Sequence, residues 1–226
     1  MLGFRINRRA RQVPAELVDR FRTLPAATVS DVMARMVAGG PRLRPMHGGG
    51  VMAGVALTVK TRPGDNLMVH KAIDIAAPGD VIVVDAGGDL TNALIGEIMS
   101  SHAAARGVAG FVIDGAIRDA GAIRAGRFPV FAAGVTHRGP YKNGPGEINV
   151  PVALDGMIIE PGDLVLGDDD GLVAVSFAHA EAVFAAASAK HAAEEKILAD
   201  IRAGIPQDRA WVDETLKRLG CAFDAG

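Results

Sequence analysis

Aromatic residues are scarce in this chain, at 4% of 226 residues. Ala, Val, Ile and Leu must therefore fill the interior, and stacking platforms for single-stranded nucleic acid are missing. The two signs of charge nearly balance, with a formal net charge of −2, so no global positive field favours DNA or RNA. The one cysteine, Cys221, cannot close an intrachain disulfide, which fits a reducing cytosol. No apolar run approaches membrane-spanning length. The basic N-terminus, with Arg5, Arg8, Arg9 and Arg11, is not followed by a stretch like the core of a signal peptide. The expectation is a soluble, cytoplasmic protein with no nucleic-acid and no membrane partner. The six histidines (His47, His70, His102, His137, His179 and His191) show no paired zinc-ligand spacing. Asp168-Asp169-Asp170-Gly171 lacks the alternation and closing Glu of a calcium loop and reads as a hairpin turn. Gly87-Gly88-Asp89 is not a dinucleotide fingerprint.

What is present is ample apolar material, 49% of the chain against 22% charged, enough for a real core. Helical spacing of Leu17, Val18, Phe21 and Leu24 predicts a helix over 14–24. A second should start at Thr28 or Ser30, either a good N-cap, and end at Gly39-Gly40. Residues 51–60 read as a strand, weakened by Gly54. Residues 65–76 read as a helix burying Leu67, Ile73 and Ile75. After the turn Pro78-Gly79-Asp80, the β-branched run 81–84 is a strand buried on both faces. A helix is expected over 92–106, stopped by Gly107, then a strand at 108–113, a short helix at 118–125 and a strand at 129–133. Strand, helix, strand, helix, strand is the signature of parallel β-α-β units. The pattern then changes to short strands with tight turns at 148–154, 157–159, 164–167 and 172–176, as in a mixed sheet. Ser176 can cap a long helix over 179–203, with Val183, Phe184, Ile197 and Ile201 as its apolar stripe. A last helix is expected over 207–219.

The expected fold class is α/β with mixed sheets plus a C-terminal helical arm. Residues 1–27 form an N-terminal arm and helix, 28–176 the α/β core, and 177–226 a helical extension that packs on a neighbouring subunit.

The chemistry gathers in residues 94–121. Glu97 opens an alanine-rich helical run, an apolar strand comes next, and the turn after it delivers Asp114, Gly115 and then Arg118-Asp119. Open strand ends and the N-termini of the succeeding helices are where ligands collect in α/β proteins. Twenty residues separate Glu97 from Arg118. In a β-α-β unit that distance takes the chain down one helix and up one strand to the same edge, so the two acids and the arginine can converge. Gly115 lets backbone approach a ligand closely. The pair alone also reads as a helix-start ion pair, favourable but weak.

This stretch, Gly-Glu-Ile-Met and then Arg-Gly-Val-Ala-Gly-Phe-Val-Ile-Asp-Gly-Ala-Ile-Arg-Asp, closely resembles the class II pyruvate aldolases that cleave 4-hydroxy-4-methyl-2-oxoglutarate and 4-carboxy-4-hydroxy-2-oxoadipate. The regulator of ribonuclease activity A shares their fold. The resemblance runs from about Thr28 to Ser176, through the Pro-Gly-Asp-Val-Ile-Val-Val-Asp, Phe-Pro-Val-Phe, Asn-Val-Pro-Val and Pro-Gly-Asp-Leu-Val segments. It implies a swivelling β/α/β-type core and metal-dependent retro-aldol cleavage of a 4-hydroxy-2-oxo acid to pyruvate, with oxaloacetate decarboxylation as a side activity. Asp119 would bind a divalent metal, magnesium or manganese. Arg118 would hold the pyruvyl carboxylate and carbonyl oxygen and stabilise the enolate. The backbone N–H groups of Gly96, Glu97, Ile98 and Met99 would grip the carboxylate. Glu97, where the family often has Asp, would orient a water that shuttles the proton. Lys142 stands 24 positions after Arg118, a spacing at which the aldolases carry an active-site lysine; a solvated loop lysine is the other reading. His137 lies in the same loop. Glu194 or Glu195 sits where a neighbouring subunit's helix supplies a glutamate to the metal's surroundings, or is an exposed helical charge. The resemblance implies a homotrimer or hexamer. The alternative function is a non-catalytic regulator that binds a protein partner.

Overall fold

The computed structural model describes residues 3–37 and 39–222. The chain forms two compact units, Met1–Ala187 and Ser188–Gly226.

The first unit is built on one mixed sheet. Its central strands are β3 (Met52–Thr61), β4 (Asp80–Asp85), β6 (Gly110–Ile117) and β7 (Val130–Val135), with all three neighbouring pairs parallel. Val81, Ile82, Val83 and Val84 are fully buried, as a strand covered on both faces requires. Gly54 fits inside this central strand because a Cβ there would meet the Gly79 carbonyl oxygen at 2.4 Å; the glycine marks a close approach rather than a weak strand. Strands β1 (Phe4–Ile6), β2 (Arg44–Pro45) and β8 (Gly146–Ile148) complete the row, in the order β1-β8-β3-β4-β6-β7-β2, with β1 and β2 at its ends. The hairpin of β11 (Leu164–Asp168) and β12 (Gly171–Val175) joins β3 antiparallel, and Asp168 pairs with Gly171 across its tip, so the acidic run is the expected hairpin turn. A separate hairpin, β9 (Val152–Leu154) with β10 (Met157–Ile159), covers part of the sheet.

Helices α3 (Leu67–Ile75) and α4 (Glu97–Ala105) pack on one face through Met68, Val69, Ala72, Ile73 and Ala103. Helices α1 (Ala15–Phe21) and α2 (Ala26–Val32) and the start of α6 (Ala180–Arg202) join a second cluster built on Phe21, Val29, Leu164 and Val175. The short α5 (Ala120–Ala125) comes after β6.

Several boundaries differ from expectation. Helix α2 starts directly after Pro25 rather than at Thr28 or Ser30; the proline ring fixes φ at about −65° and brings no N–H to the helix start, where N–H groups lack partners. In α3, Ile75 is 39% exposed, and Met68 and Val69 are buried instead. Residues 93–95 form a strand, β5 (Ala93–Ile95), not the start of a helix. Strand β6 runs through Asp114 and Gly115, which are buried in the sheet rather than in a turn. Ser176 makes no cap bond; its hydroxyl meets the His179 ring at 2.9 Å.

The second unit holds the end of α6 and α7 (Ala210–Arg218). Ile197, Ile201, Trp211 and Leu219 are exposed. No helix among the described residues is long and apolar enough to cross a membrane.

Candidate functional site

The end of β6 explains why distant residues meet. It outruns β4, and its last residues pair in parallel with β5, Ile117 opposite Ile95. The Arg118 N–H donates to the Ile95 carbonyl at 3.0 Å. Two parallel strands in this register release their chains side by side at one edge. Gly96-Glu97 and Arg118-Asp119 therefore leave the sheet as neighbours, although 20 residues separate Glu97 from Arg118 in sequence.

The two segments pack closely around Gly96. The Glu97 N–H donates to Asp119 Oδ2 at 3.0 Å, and Arg118 Nε lies 3.7 Å from that same oxygen. A Cβ on Gly96 would fall 2.3 Å from Asp119 Oδ2 and 2.9 Å from Arg118 Cγ. Asp119 adopts a left-handed backbone, φ 56° and ψ 34°. Asp tolerates this region better than most residues, and strain of this kind gathers at functional sites. Arg118 and Asp119 are 43% and 42% exposed, open to a ligand yet held by the backbone.

A cleft of about 300 Å³ opens here, lined by Asn66, His70, Gly96, Ile98, Met99, Arg118, Asp119, Gly139 and Lys142. Residues 96–99 and 118–119 leave the C-terminal ends of β5 and β6, the usual ligand edge of a parallel sheet. Ile98 and Met99 belong to the first turn of α4, where helix geometry provides no intrahelical acceptor for N–H groups and the dipole favours an anion. Arg118 and Lys142 bring two basic side chains to the cleft.

Most of the expected site is thus brought together: Gly96, Ile98, Met99, Arg118, Asp119 and Lys142 share one cleft. Glu97 contributes its backbone N–H to Asp119 and lines a neighbouring groove with Ser100, Ser101 and Arg127 rather than the cleft itself. His137 is exposed and does not line the cleft. Gly115 faces Leu94 and the Asp89 carbonyl rather than a ligand. Asp114 is paired with Arg42 at 2.6 Å, and burial raises its carboxyl above the ordinary range despite that partner. Glu194 and Glu195 lie on α6 in the second unit, where Glu194 pairs with Lys190 one turn away.

Two cleft residues escaped sequence reasoning. Asn66 is 2% exposed, donates to the Leu94 carbonyl at 2.8 Å, and its Oδ1 has no hydrogen-bond partner among the described residues. His70 stands one helical turn later; that four-residue spacing, which puts both on one helix face, was the available signal. His70 keeps an exposed side, and the partial desolvation of its ring lowers its pKa, with the positive charge of Lys142 lowering it further.

Among the described residues, Asp119 is the only carboxylate lining the cleft. No group of three or more His, Cys, Asp or Glu among them is disposed to hold a metal. A zinc-type donor set from this one chain would need such a group. A single carboxylate suits a hard ion such as magnesium, which takes one or two carboxylates and keeps waters or substrate oxygens.

Fold and cleft define an α/β protein with two cations and one acid gathered at the end of a parallel strand pair. More narrowly, the chain belongs to the RraA-like family, described as Aldolase/RraA, whose model residues 26–174 match. It is 38% identical over 205 residues to a protein of Halalkalibacterium halodurans provisionally named a 4-hydroxy-4-methyl-2-oxoglutarate aldolase, covering 91% of this chain and 98% of that one. Among solved structures it resembles the RNA-processing inhibitor RraA from Thermus thermophilis (TM-score 0.62, 31% identity, 67% of this chain and 92% of that one). It also resembles RraAS2 of Streptomyces coelicolor, an unusual member of the RNase ES inhibitor RraA family (TM-score 0.74, 28% identity, 82% and 96%).

Proposed function

We propose that this chain is a metal-dependent carbon–carbon lyase that cleaves a 4-hydroxy-2-oxo acid of the 4-hydroxy-4-methyl-2-oxoglutarate type to pyruvate and a second oxo acid. The observation that carries the reading is the shared cleft of Arg118, Asp119, Lys142 and the first turn of α4. The provisional aldolase name of a relative matching 91% of the chain supports it.

In this reading the substrate's 1-carboxylate sits against the amides of Ile98 and Met99, and the Arg118 guanidinium faces the 2-oxo oxygen. A water in the cleft takes the C4 hydroxyl proton, and C4 becomes a carbonyl as the C3–C4 bond breaks. The bonding pair becomes the enolate of pyruvate, and C3 then takes that proton back from the same water. Charge grows on the oxygen that Arg118 faces, which is where fixed positive charge contributes most to catalysis. Lys142 adds a second positive charge for a substrate with two carboxylates. Asn66 Oδ1 offers an acceptor for a substrate hydroxyl. Asp119 would hold magnesium or manganese, whose Lewis acidity would polarise the 2-oxo group. Glu97 serves by its N–H, fixing Asp119. Loss of carbon dioxide from oxaloacetate gives the same enolate and is the expected side activity. Glu194 or Glu195 of a neighbouring copy would add a carboxylate near that metal in a homotrimer or hexamer.

Purified protein with magnesium and oxaloacetate, or a 4-hydroxy-2-oxo acid, should release pyruvate, read with a coupled lactate dehydrogenase. Absence of metal-dependent pyruvate from every such substrate refutes the reading. The likeness to an RNA-processing inhibitor at 31% identity favours a second reading, a non-catalytic regulator. It requires partner binding that survives Arg118→Ala and chelator, which a pull-down decides.

A further inference from the structure

Lys142 reaches the cleft on a loop without regular structure, residues 136–145, which joins β7 to β8. A long side chain on such a loop helps a site only if its backbone is fixed. The fixing groups can be traced to one side chain.

Asp65 has no exposed surface. Its Oδ2 accepts the N–H of Asn143 at 2.7 Å and of Gly144 at 2.9 Å, and Arg62 Nη2 approaches it at 3.1 Å. Its Oδ1 accepts the N–H of Leu67, the first residue of α3, at 3.0 Å. On the other side of Lys142, Tyr141 exchanges two backbone bonds with this segment. Its N–H donates to the Gly64 carbonyl at 2.9 Å, and its carbonyl accepts from the Asn66 N–H at 3.0 Å. Lys142 is therefore held at both flanking residues by residues 64–66. The same carboxylate sets the start of α3, which carries Asn66 and His70 into the same cleft.

We propose that Asp65 is a positioning residue of this site: its buried carboxylate locks the loop so that Lys142 stays in the cleft, in register with the wall made by α3. Part of this rests on the lyase reading, since it assigns Lys142 to substrate. A carboxylate is required on chemical grounds. Both oxygens must accept, one of them from two backbone N–H groups and a guanidinium, and charge-assisted bonds of this kind are about twice as strong as neutral ones. An amide has one acceptor. In Asp65→Asn, one orientation of the amide loses the Leu67 bond and the other loses both loop bonds, setting an N–H donor against buried donors.

The test combines amide exchange with a double-mutant cycle. In the unmodified chain, Asn143 and Gly144 amides should show protection factors at least tenfold above that of Lys142; equal protection overturns the proposal without any variant needing to fold. In Asp65→Asn that protection should be lost while β4 and β6 remain protected, and retained protection overturns it. For catalysis, kcat/KM for pyruvate release is measured in Asp65→Asn, Lys142→Ala and the double variant. If Asp65 acts through Lys142, Asp65→Asn lowers kcat/KM by a smaller factor in the Lys142→Ala background than in the unmodified chain. If the two losses multiply, Asp65 is merely structural and the proposal fails. Should the unmodified chain release no pyruvate, the lyase reading falls, and the exchange results alone decide the role of Asp65 in holding the loop.

Discussion

Substitution of Gly96 by alanine separates site geometry from folding. The backbone there, φ −152° and ψ −162°, is extended and open to any residue, so the new methyl adds no backbone strain. The difficulty is space. The Cβ would stand 2.3 Å from Asp119 Oδ2, whereas ordinary contact begins near 3.4 Å, so the carboxylate must retreat by about 1.1 Å, and Arg118 Cγ at 2.9 Å must also shift. Both side chains are over two-fifths exposed and can swing toward solvent. The cost in stability should stay near or below about 1 kcal/mol, since a half-exposed ion pair contributes about that much at most. The cost in activity should be far larger. A displacement of about 1 Å in groups that position a substrate costs roughly 100-fold in rate. Gly96→Ala should therefore lower kcat/KM for metal-dependent pyruvate release by about two orders of magnitude with little change in urea midpoint. Gly121→Ala, where nothing lies within 4 Å of the new methyl, is the control. Unchanged kcat/KM in a folded Gly96→Ala refutes the assignment of Arg118 and Asp119 to the reacting centre.

Arg118→Ala should lower kcat/KM by about 10²–10³-fold, the usual effect of removing one donor at developing negative charge; Arg118→Lys should recover only part, because a point charge lacks the planar fork. Chelator should abolish pyruvate release and added magnesium or manganese restore it, measured in the same coupled assay. The His70 pKa lies below 6.5 through partial desolvation and the charge of Lys142; in Lys142→Met it should rise, as read from the imidazole resonances in an NMR titration, and a fall would refute the contact. The unfolded chain takes up this proton more readily, so the contribution to stability is full above about 6.5 and is lost as pH falls below it. His70→Asn should flatten that part of the stability–pH curve, with an effect kept small by solvent screening. In the core, Phe111 of β6 is fully buried in the cluster that also holds residues of α3 and α4, and Phe111→Ala should cost about 3–5 kcal/mol in denaturant unfolding.

The parallel core was legible because its signals are local. A β-branched run such as Val81–Val84 needs no partner to announce a doubly covered strand, and the spacing from Glu97 to Arg118 encodes one helix and one strand. What escaped depends on groups remote in sequence. Residues 92–95 read as helix because polar Asn92 precedes an apolar triplet beside a helical run. They become a strand because β6 overshoots β4 and leaves an open edge that β5 fills. Asp114-Gly115 reads as a turn, since a carboxylate in a central strand is unfavourable unless paired. Its partner, Arg42, lies in a distant loop that local pattern cannot reach. Asn66 and His70 look like ordinary helix-start residues until the loop of Lys142 folds over them.

These misreadings share a cause, and it bears on how the site is made. The twenty-residue spacing brings Glu97 and Arg118 to the same edge, but it does not determine which atoms of Glu97 face inward. That is decided by the β5 pairing, which the spacing does not contain. With Ile95 locked opposite Ile117, the chain must turn at Gly96 into α4. The first-turn N–H of Glu97 then donates to Asp119, and Glu97 lines the adjoining groove rather than the cleft. An Asp in place of Glu97 would keep the same backbone bond, so Glu97→Ala should preserve the Asp119 contact and much of the activity. Glu97→Pro, which removes the N–H at a position where a helix start tolerates proline, should release Asp119 and lower activity sharply. The opposite order, with alanine the more damaging, would show that the carboxylate carries the role and that this backbone account is wrong.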